Sequence, residues 1–221
     1  MNIIDVTIDF ETCSLSANAA ILQLAAVAWD RNASEKPFID CKIPSFNEHI
    51  DLASCVALNL DFDQSTISFW ASQPKSIQDS VLRPAHCLPV EVALKKFIEW
   101  LHCISADYDE VRLWSQGSDF DIAILRNVLN KAYSKYPELF DRKLDQVVRY
   151  TSFRDARTFI LEMGSMIFFD GNTVSQKEIY GKIPKMEGEE LKHNALYDVI
   201  QTSWNVWYIM KQFSMLLSKT D

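Results

Sequence analysis

The sequence predicts a single α/β domain, residues 1–221, built on a mixed five-stranded sheet flanked by helices. Three observations predict it. Three strand-like runs joined by short turns open the chain, the pattern of an antiparallel meander. Two further strand-like runs then alternate with helical patterns, giving strand, strand, strand, helix, strand, helix, strand, helix. No shift in composition along the 221 residues marks a boundary, and that length suits one sizeable core.

The first strand, residues 3–11 (I-I-D-V-T-I-D-F-E), ends in two carboxylates, Asp9 and Glu11. Residues two apart in a strand point to one face. Two carboxylates on one face of a buried strand repel each other and are costly to desolvate. A divalent cation, which prefers hard oxygen ligands, is the usual remedy. This strand therefore carries half of a metal site, and the rest of the chain should supply the other half.

Residues 12–18 form a polar turn, and 19–29 (A-A-I-L-Q-L-A-A-V-A-W) a buried second strand closed by Asp30, Arg31 and Asn32. Residues 37–43 make the third strand, stopped at Pro44. The pattern over 45–64 is mixed, with a short hairpin fitting 53–60. Ser65 or Thr66 caps a short helix running through Trp70 and Gln73 to Pro74. Residues 89–104 are an amphipathic helix: Val90, Leu94, Phe97, Ile98 and Leu101 recur every three or four residues, behind a Pro suited to the first turn. A short strand at 111–115 is broken by Gly117. A helix at 121–136 follows, with Ile122, Leu125, Val128 and Leu129 as its stripe and Pro137 at its end. Residues 146–151 read as the fifth strand and 158–163 as a helical run. Residues 164–190, punctuated by glycines, form an extended excursion before a last helix over 194–217.

Composition narrows the function. With nearly half the residues hydrophobic and only 5 glycines, the chain has no low-complexity character. No basic segment followed by an apolar run opens it, and no apolar stretch is long enough to span a membrane, so no membrane partner is expected. Five scattered cysteines without C-x-x-C spacing argue against a disulfide framework or a structural zinc, and for a cytoplasmic protein. The formal charge of −8 argues against long, tight duplex binding, which draws on many phosphate contacts. It leaves room for a short grip on a chain end.

Three acidic positions, far apart in sequence, each fall at the end of an element: Asp9 with Glu11, Asp121 at a helix start, and Asp198 one turn into the last helix. A helix N-terminus also favours the negative charge of Asp121. His193 lies five residues before Asp198. In a continuous helix that spacing turns two side chains about 140° apart. They face one site only if His193 stands on the approach to the helix, where the glycine at position 188 frees the backbone.

These motifs resemble a known family. Asp9-Phe10-Glu11, then Phe120-Asp121 before I-A-I-L, then 193–198 (H-N-A-L-Y-D) match in order the three motifs of the DEDDh 3′-5′ exonuclease superfamily, whose fold is ribonuclease H-like. The H-x4-D spacing marks its histidine branch. Residues 9–12 (D-F-E-T) before A-A-I, 65–70 (S-T-I-S-F-W) and 154–158 (R-D-A-R-T) resemble landmarks of one group. That group contains the T-even phage exodeoxyribonuclease A and ribonuclease T-like 3′ exoribonucleases. The second motif departs from the superfamily's pattern, with Gly117 where Asn is common and Asp119 as a competing carboxylate; Asp119 is free to cap the helix instead.

The resemblance implies an exonuclease that holds two Mg²⁺ or Mn²⁺ ions roughly 3.5 to 4 Å apart around an in-line phosphoryl displacement. It implies that Asp9 bridges both ions, that Glu11 and Asp198 bind the one activating water, and that Asp121 holds the second. His193, with an ordinary pKa of about 6.5, would take the proton of that water. The implied substrate is a single-stranded 3′ end, DNA slightly before RNA, and the product a nucleoside 5′-monophosphate. A homodimer is expected from the same source. A rival of another class is a catalytically idle nucleic-acid-binding module on this fold, which would be free to lose ligands; all five are present.

Further substrate contacts fall on Phe10, Phe69 and Trp70, which either stack on bases or pack in the core. Thr12, Cys13 and Leu15 follow the metal strand, where relatives contact the terminal nucleotide. Arg154 and Arg157 either grip a phosphate or pair with Asp155 and neighbouring carboxylates. Trp204, Trp207 and Tyr208 read as core or a subunit contact.

Overall fold

The computed structural model describes residues 2–38 and 45–218. Its centre is a five-stranded sheet in the order β3-β2-β1-β4-β5. The strands are β1 (Ile3–Thr12), β2 (Ile21–Trp29), β3 (Ser45–His49), β4 (Glu110–Ser115) and β5 (Phe153–Asp155). β1 to β3 form the expected antiparallel meander, and β4 and β5 add parallel to β1 on its other side. The helices are α1 (Leu52–Ala57), α2 (Gln64–Ser72), α3 (Lys75–Leu82), α4 (Val90–Ser105), α5 (Ala123–Lys135), α6 (Ala156–Phe169), α7 (Gln176–Tyr180) and α8 (Ala195–Leu217).

The alternation of side chains splits the core in two. Ile4, Val6 and Ile8 of β1 and Leu24 of β2 point to a layer filled by Leu94, Phe97 and Leu101 of α4 and Leu125 and Val128 of α5. Ala25, Val27 and Trp29 point the other way, against Ile160 of α6 and Val199 and Val206 of α8. Because β2 is covered on both faces, all nine of its residues are buried. The odd-numbered polar residues of β1 face α6 and α8. Asp5 at the far end is fully buried, and both its oxygens are held by Arg31, with the Trp114 indole donating at 2.6 Å. Thr7 bonds Ser203 of α8 and the Trp29 indole.

Several expectations shift. Of the third strand read at 37–43, residues 39–43 lie outside the described residues, and the strand beside β2 is β3, where the pattern was mixed. Instead of a hairpin at 53–60 there is α1, because the Asp51 carboxylate caps it by accepting from the Ala53 N–H. Asp63, not Ser65 or Thr66, caps α2. The fifth strand is three residues long and begins at Phe153. Residues 144–152 hold two 3₁₀ turns instead, with apolar Leu144 and Val148 buried in the same core layer as α4 and α5. α6 runs from Asp155, its N-cap, through position 164, where a glycine is required: a Cβ there would lie 2.5 Å from Ile179 Cγ2 of α7. Among the described residues no helix is long and apolar enough to cross a membrane.

Candidate active site

β1 ends at the centre of the sheet edge, with Asp9 opposite Ala25 and Glu11 opposite Gln23 of β2. This register turns both acids toward the start of α8. Asp198 stands in the first turn of that helix, and ligand oxygens of Asp9, Glu11 and Asp198 lie within 4.8 Å of one another. Asp121 joins them from the other side of β1. Its carboxylate, 2% exposed, accepts the Phe10 backbone N–H at 3.3 Å, tying it to the residue between Asp9 and Glu11.

Asp121 reaches this place through one π-helical turn, Ser118–Ile122, inserted between β4 and α5. Such turns re-aim a side chain without ending a helix. Asp119 is exposed and caps nothing; the Ser118 N–H is taken by the Asp155 carboxylate at 2.6 Å. That bond, with the Thr158 N–H at 2.8 Å, also uses Asp155 in place of the arginine pairing considered for it.

His193 stands on the approach to α8, one residue before the N-cap Asn194, with φ at +70°. Its backbone N–H donates to Asp198 Oδ2 at 3.1 Å, so the two residues are fixed to each other despite their awkward spacing. Its ring and that of Phe69 on α2 meet edge to face, their centroids 5.3 Å apart.

Crowding shows in the titration of these groups. Burial, then Asp121, Glu11 and Asp198, raises Asp9 well above the usual carboxylate range. Burial, then Asp198 and Asp121, pushes Glu11 up to about 8. Asp121 is raised by burial to about 7 despite backbone N–H donors and Arg157, and Asp198 to about 6 against the His193 N–H and Lys192. Burial and Lys192 lower His193. Among the described residues no lysine or arginine makes an ion pair with Asp9, Glu11 or Asp198. Hard oxygen donors gathered this closely, with no ion-pair partner for Asp9, Glu11 or Asp198 among the described residues, fit a divalent cation.

A cleft of about 850 Å³ opens over the cluster, bounded by the end of β1, α7 and the first turns of α8. Its far wall is lined with uncharged hydrogen-bonding groups. Gln116 Nε2 donates to the Tyr180 hydroxyl, the Thr202 hydroxyl to Gln116 Oε1, and Gln201 Nε2 to Asn205 Oδ1. Lys177, Lys185, Lys192 and Arg157, all exposed, line it as well.

The accessory positions separate. Phe69 is 41% exposed beside His193, whereas Trp70 is buried with its indole donating to the Thr12 carbonyl at 2.8 Å. Phe10 and Thr12 are buried too, and the Thr12 hydroxyl donates to Ser14 O. Leu15 is 77% exposed. Arg157 lines the cleft, but Arg154 bonds the Thr151 and Phe153 carbonyls near Glu110, at the start of β4, away from the acids. Sequence reasoning passed over Gln23 and Lys192; the one polar residue inside the apolar run 19–29 was the signal for the first.

Comparison with known proteins follows the same lines. Residues 4–210 match the model of the 3′-5′ exoribonuclease Rv2179c-like domain. The chain belongs to this family. It is thus a 3′-5′ exonuclease. The exodeoxyribonuclease of Enterobacteria phage T4 is 24% identical over 211 residues, covering 93% of this chain and 90% of the phage protein. Among solved structures, cell-death related nuclease 4 (CRN-4) superposes with a TM-score of 0.55 at 17% identity, over 96% of this chain. The zinc-bound E. coli ExoI–ssDNA complex gives 0.56 at 11% identity, over 99% of this chain. The chain spans 64% and 43% of those two proteins, so they speak for the fold of this exonuclease domain alone.

Proposed function

We propose that this chain uses two Mg²⁺ or Mn²⁺ ions to release nucleoside 5′-monophosphates from single-stranded 3′ ends. The observation that carries the proposal is the convergence of Asp9, Glu11 and Asp198, oxygens within 4.8 Å, with Asp121 bonded beside them and His193 bonded to Asp198. Asp9, Glu11 and Asp198 would hold one ion, and Asp9 with Asp121 the other. Bound there, the ions supply Lewis-acid polarisation of the phosphodiester and acidify the attacking water. His193, lowered by burial and Lys192, is a neutral imidazole at pH 7 and accepts that water's proton. Fixing its backbone to Asp198 keeps the proton acceptor in register with a ligand. Phe69, exposed beside His193, offers a face to the terminal base, with Leu15 as a second apolar contact. Arg157 is the guanidinium placed to meet a phosphate.

The phage T4 relative favours DNA, and the name of the matched family favours RNA as the second reading. A homodimer rests on the resemblance alone, and cytoplasmic residence on scattered cysteines, of which Cys13, Cys55, Cys87 and Cys103 are free thiols. Matched DNA and RNA oligomers with 3′ single-stranded tails, digested side by side with Mg²⁺ or Mn²⁺, test the proposal. Expected is stepwise loss of 5′-mononucleotides from the 3′ end, blocked by a 3′-phosphate. Loss from the 5′ end, or oligonucleotide products, would refute it.

A further inference from the structure

Gln23 is fully buried, and it is the one polar residue of β2. A buried carboxamide must find partners or destabilise its strand. The Oε1 atom accepts the Ala195 backbone N–H at 3.2 Å. The Nε2 atom donates to Asn47 Oδ1 at 2.8 Å and reaches Asn194 Oδ1 at 3.5 Å. Ala195 is the first residue of α8 and Asn194 its N-cap, whose Oδ1 accepts the Leu196 N–H. The first N–H groups of a helix lack intrahelical acceptors, so Gln23 and Asn194 divide that task between them.

The same residue lies opposite Glu11 in the β1–β2 register, and directly paired residues put their side chains on one face about 5 Å apart. One side chain thus touches the pivot from which His193 precedes and Asp198 follows, and stands beside Glu11. His193 and Asp198 are bonded to each other, so they move as a pair with the helix start. We infer that Gln23 is a positioning residue, a spacer that sets the separation between the Glu11 carboxylate on β1 and the His193–Asp198 pair on α8. Without its oxygen the Ala195 N–H has no acceptor in a dry place, and the helix start shifts to find one. A displacement of about 1 Å at reacting groups costs on the order of 100-fold in rate.

This inference rests on the proposed nuclease reading, and its test separates the two. Gln23→Met keeps the volume and removes the acceptor. Expected are roughly 10- to 100-fold lower kcat on a 3′-tailed oligomer with Mn²⁺ and KM within about threefold of wild type. Amide exchange at Ala195 and Leu196 of the metal-free protein should quicken, while β2 amides keep their protection. Wild-type kcat in this variant overturns the inference, as does loss of protection throughout β2, which would make Gln23 an ordinary core group. An inactive wild-type protein would instead count against the nuclease reading, and the exchange data would still report whether Gln23 holds the helix start.

Discussion

Glu11, pushed up to about 8, and Asp9, raised by burial and three other carboxylates, are groups the fold holds at a cost. In the unfolded chain such carboxyls titrate near about 4. Between there and pH 8 the native state binds more protons, so stability is present at low pH and is lost as pH rises through the folded values. Metal-free protein should therefore melt at a lower temperature at pH 8.5 than at pH 5.5, and Mn²⁺ should recover the loss at the higher pH. Glu11→Gln removes one of these ionisations and should raise the melting temperature at pH 8.5 in EDTA, while lowering activity. Calorimetry that finds the variant no more stable there would contradict a tight acid cluster. Replacing Asp198 by Ala should abolish Mg²⁺-dependent mononucleotide release from a folded protein. His193→Asn, a residue that tolerates a positive φ, should leave Mn²⁺ affinity near wild type and lower turnover by about 10²- to 10⁴-fold. Full turnover at pH 7 without the imidazole would remove it from the mechanism.

The elements that carry these residues differ in how they are held. β1 is locked between two paired strands, whereas the approach to α8 depends on backbone in the left-handed region at position 188 (φ +96°) and at His193. Gly188→Ala adds about 1–2 kcal/mol of backbone strain and sets a Cβ 3.2 Å from Tyr197 Cε2. Its expected effect is slower turnover with a smaller loss of thermal stability, measured on the same preparation. A variant as fast as wild type would show that the approach segment is not geometrically critical. The π-helical turn before α5 is a second device of this kind. It brings the Asp121 carboxylate to the Phe10 N–H, where Asp119, two residues earlier, points to solvent.

Across the whole molecule, a charge of −8 coexists with a cleft that gathers Lys177, Lys185, Lys192 and Arg157 around the acids. So few cations can neutralise only a few phosphates, and log affinity for single strands falls with log salt by about 0.7 per phosphate. The slope of binding against salt, taken with Ca²⁺ in place of Mg²⁺, should therefore be no steeper than about −3. A slope near −7 would require a second basic surface. The layered core has its own consequence: α8 packs on β2 along its length through Val199 and Val206, so the site's second half rests on the same layer that stabilises the fold.

Local chemistry made much of this legible. An apolar, β-branched run gave β1 and a continuous apolar run β2, helical spacing gave α4, α5 and α8, and ordered acidic motifs gave Asp9, Glu11, Asp121, His193 and Asp198. These patterns are readable because each element's period is written in consecutive residues. The short β3 and β5, the helix at 52–57, and the 3₁₀ turns at 144–152 were not, because tertiary pairing and capping outweigh weak local preference in short segments. Distance was decided only by the fold. That Asp198 meets Glu11, that Arg154 turns away while Arg157 enters the cleft, and that Gln23 spans the sheet to α8 are set by register and packing between elements remote in sequence. A linear pattern states which groups are present; the sheet, by fixing which neighbours face each other, states which of them can act together.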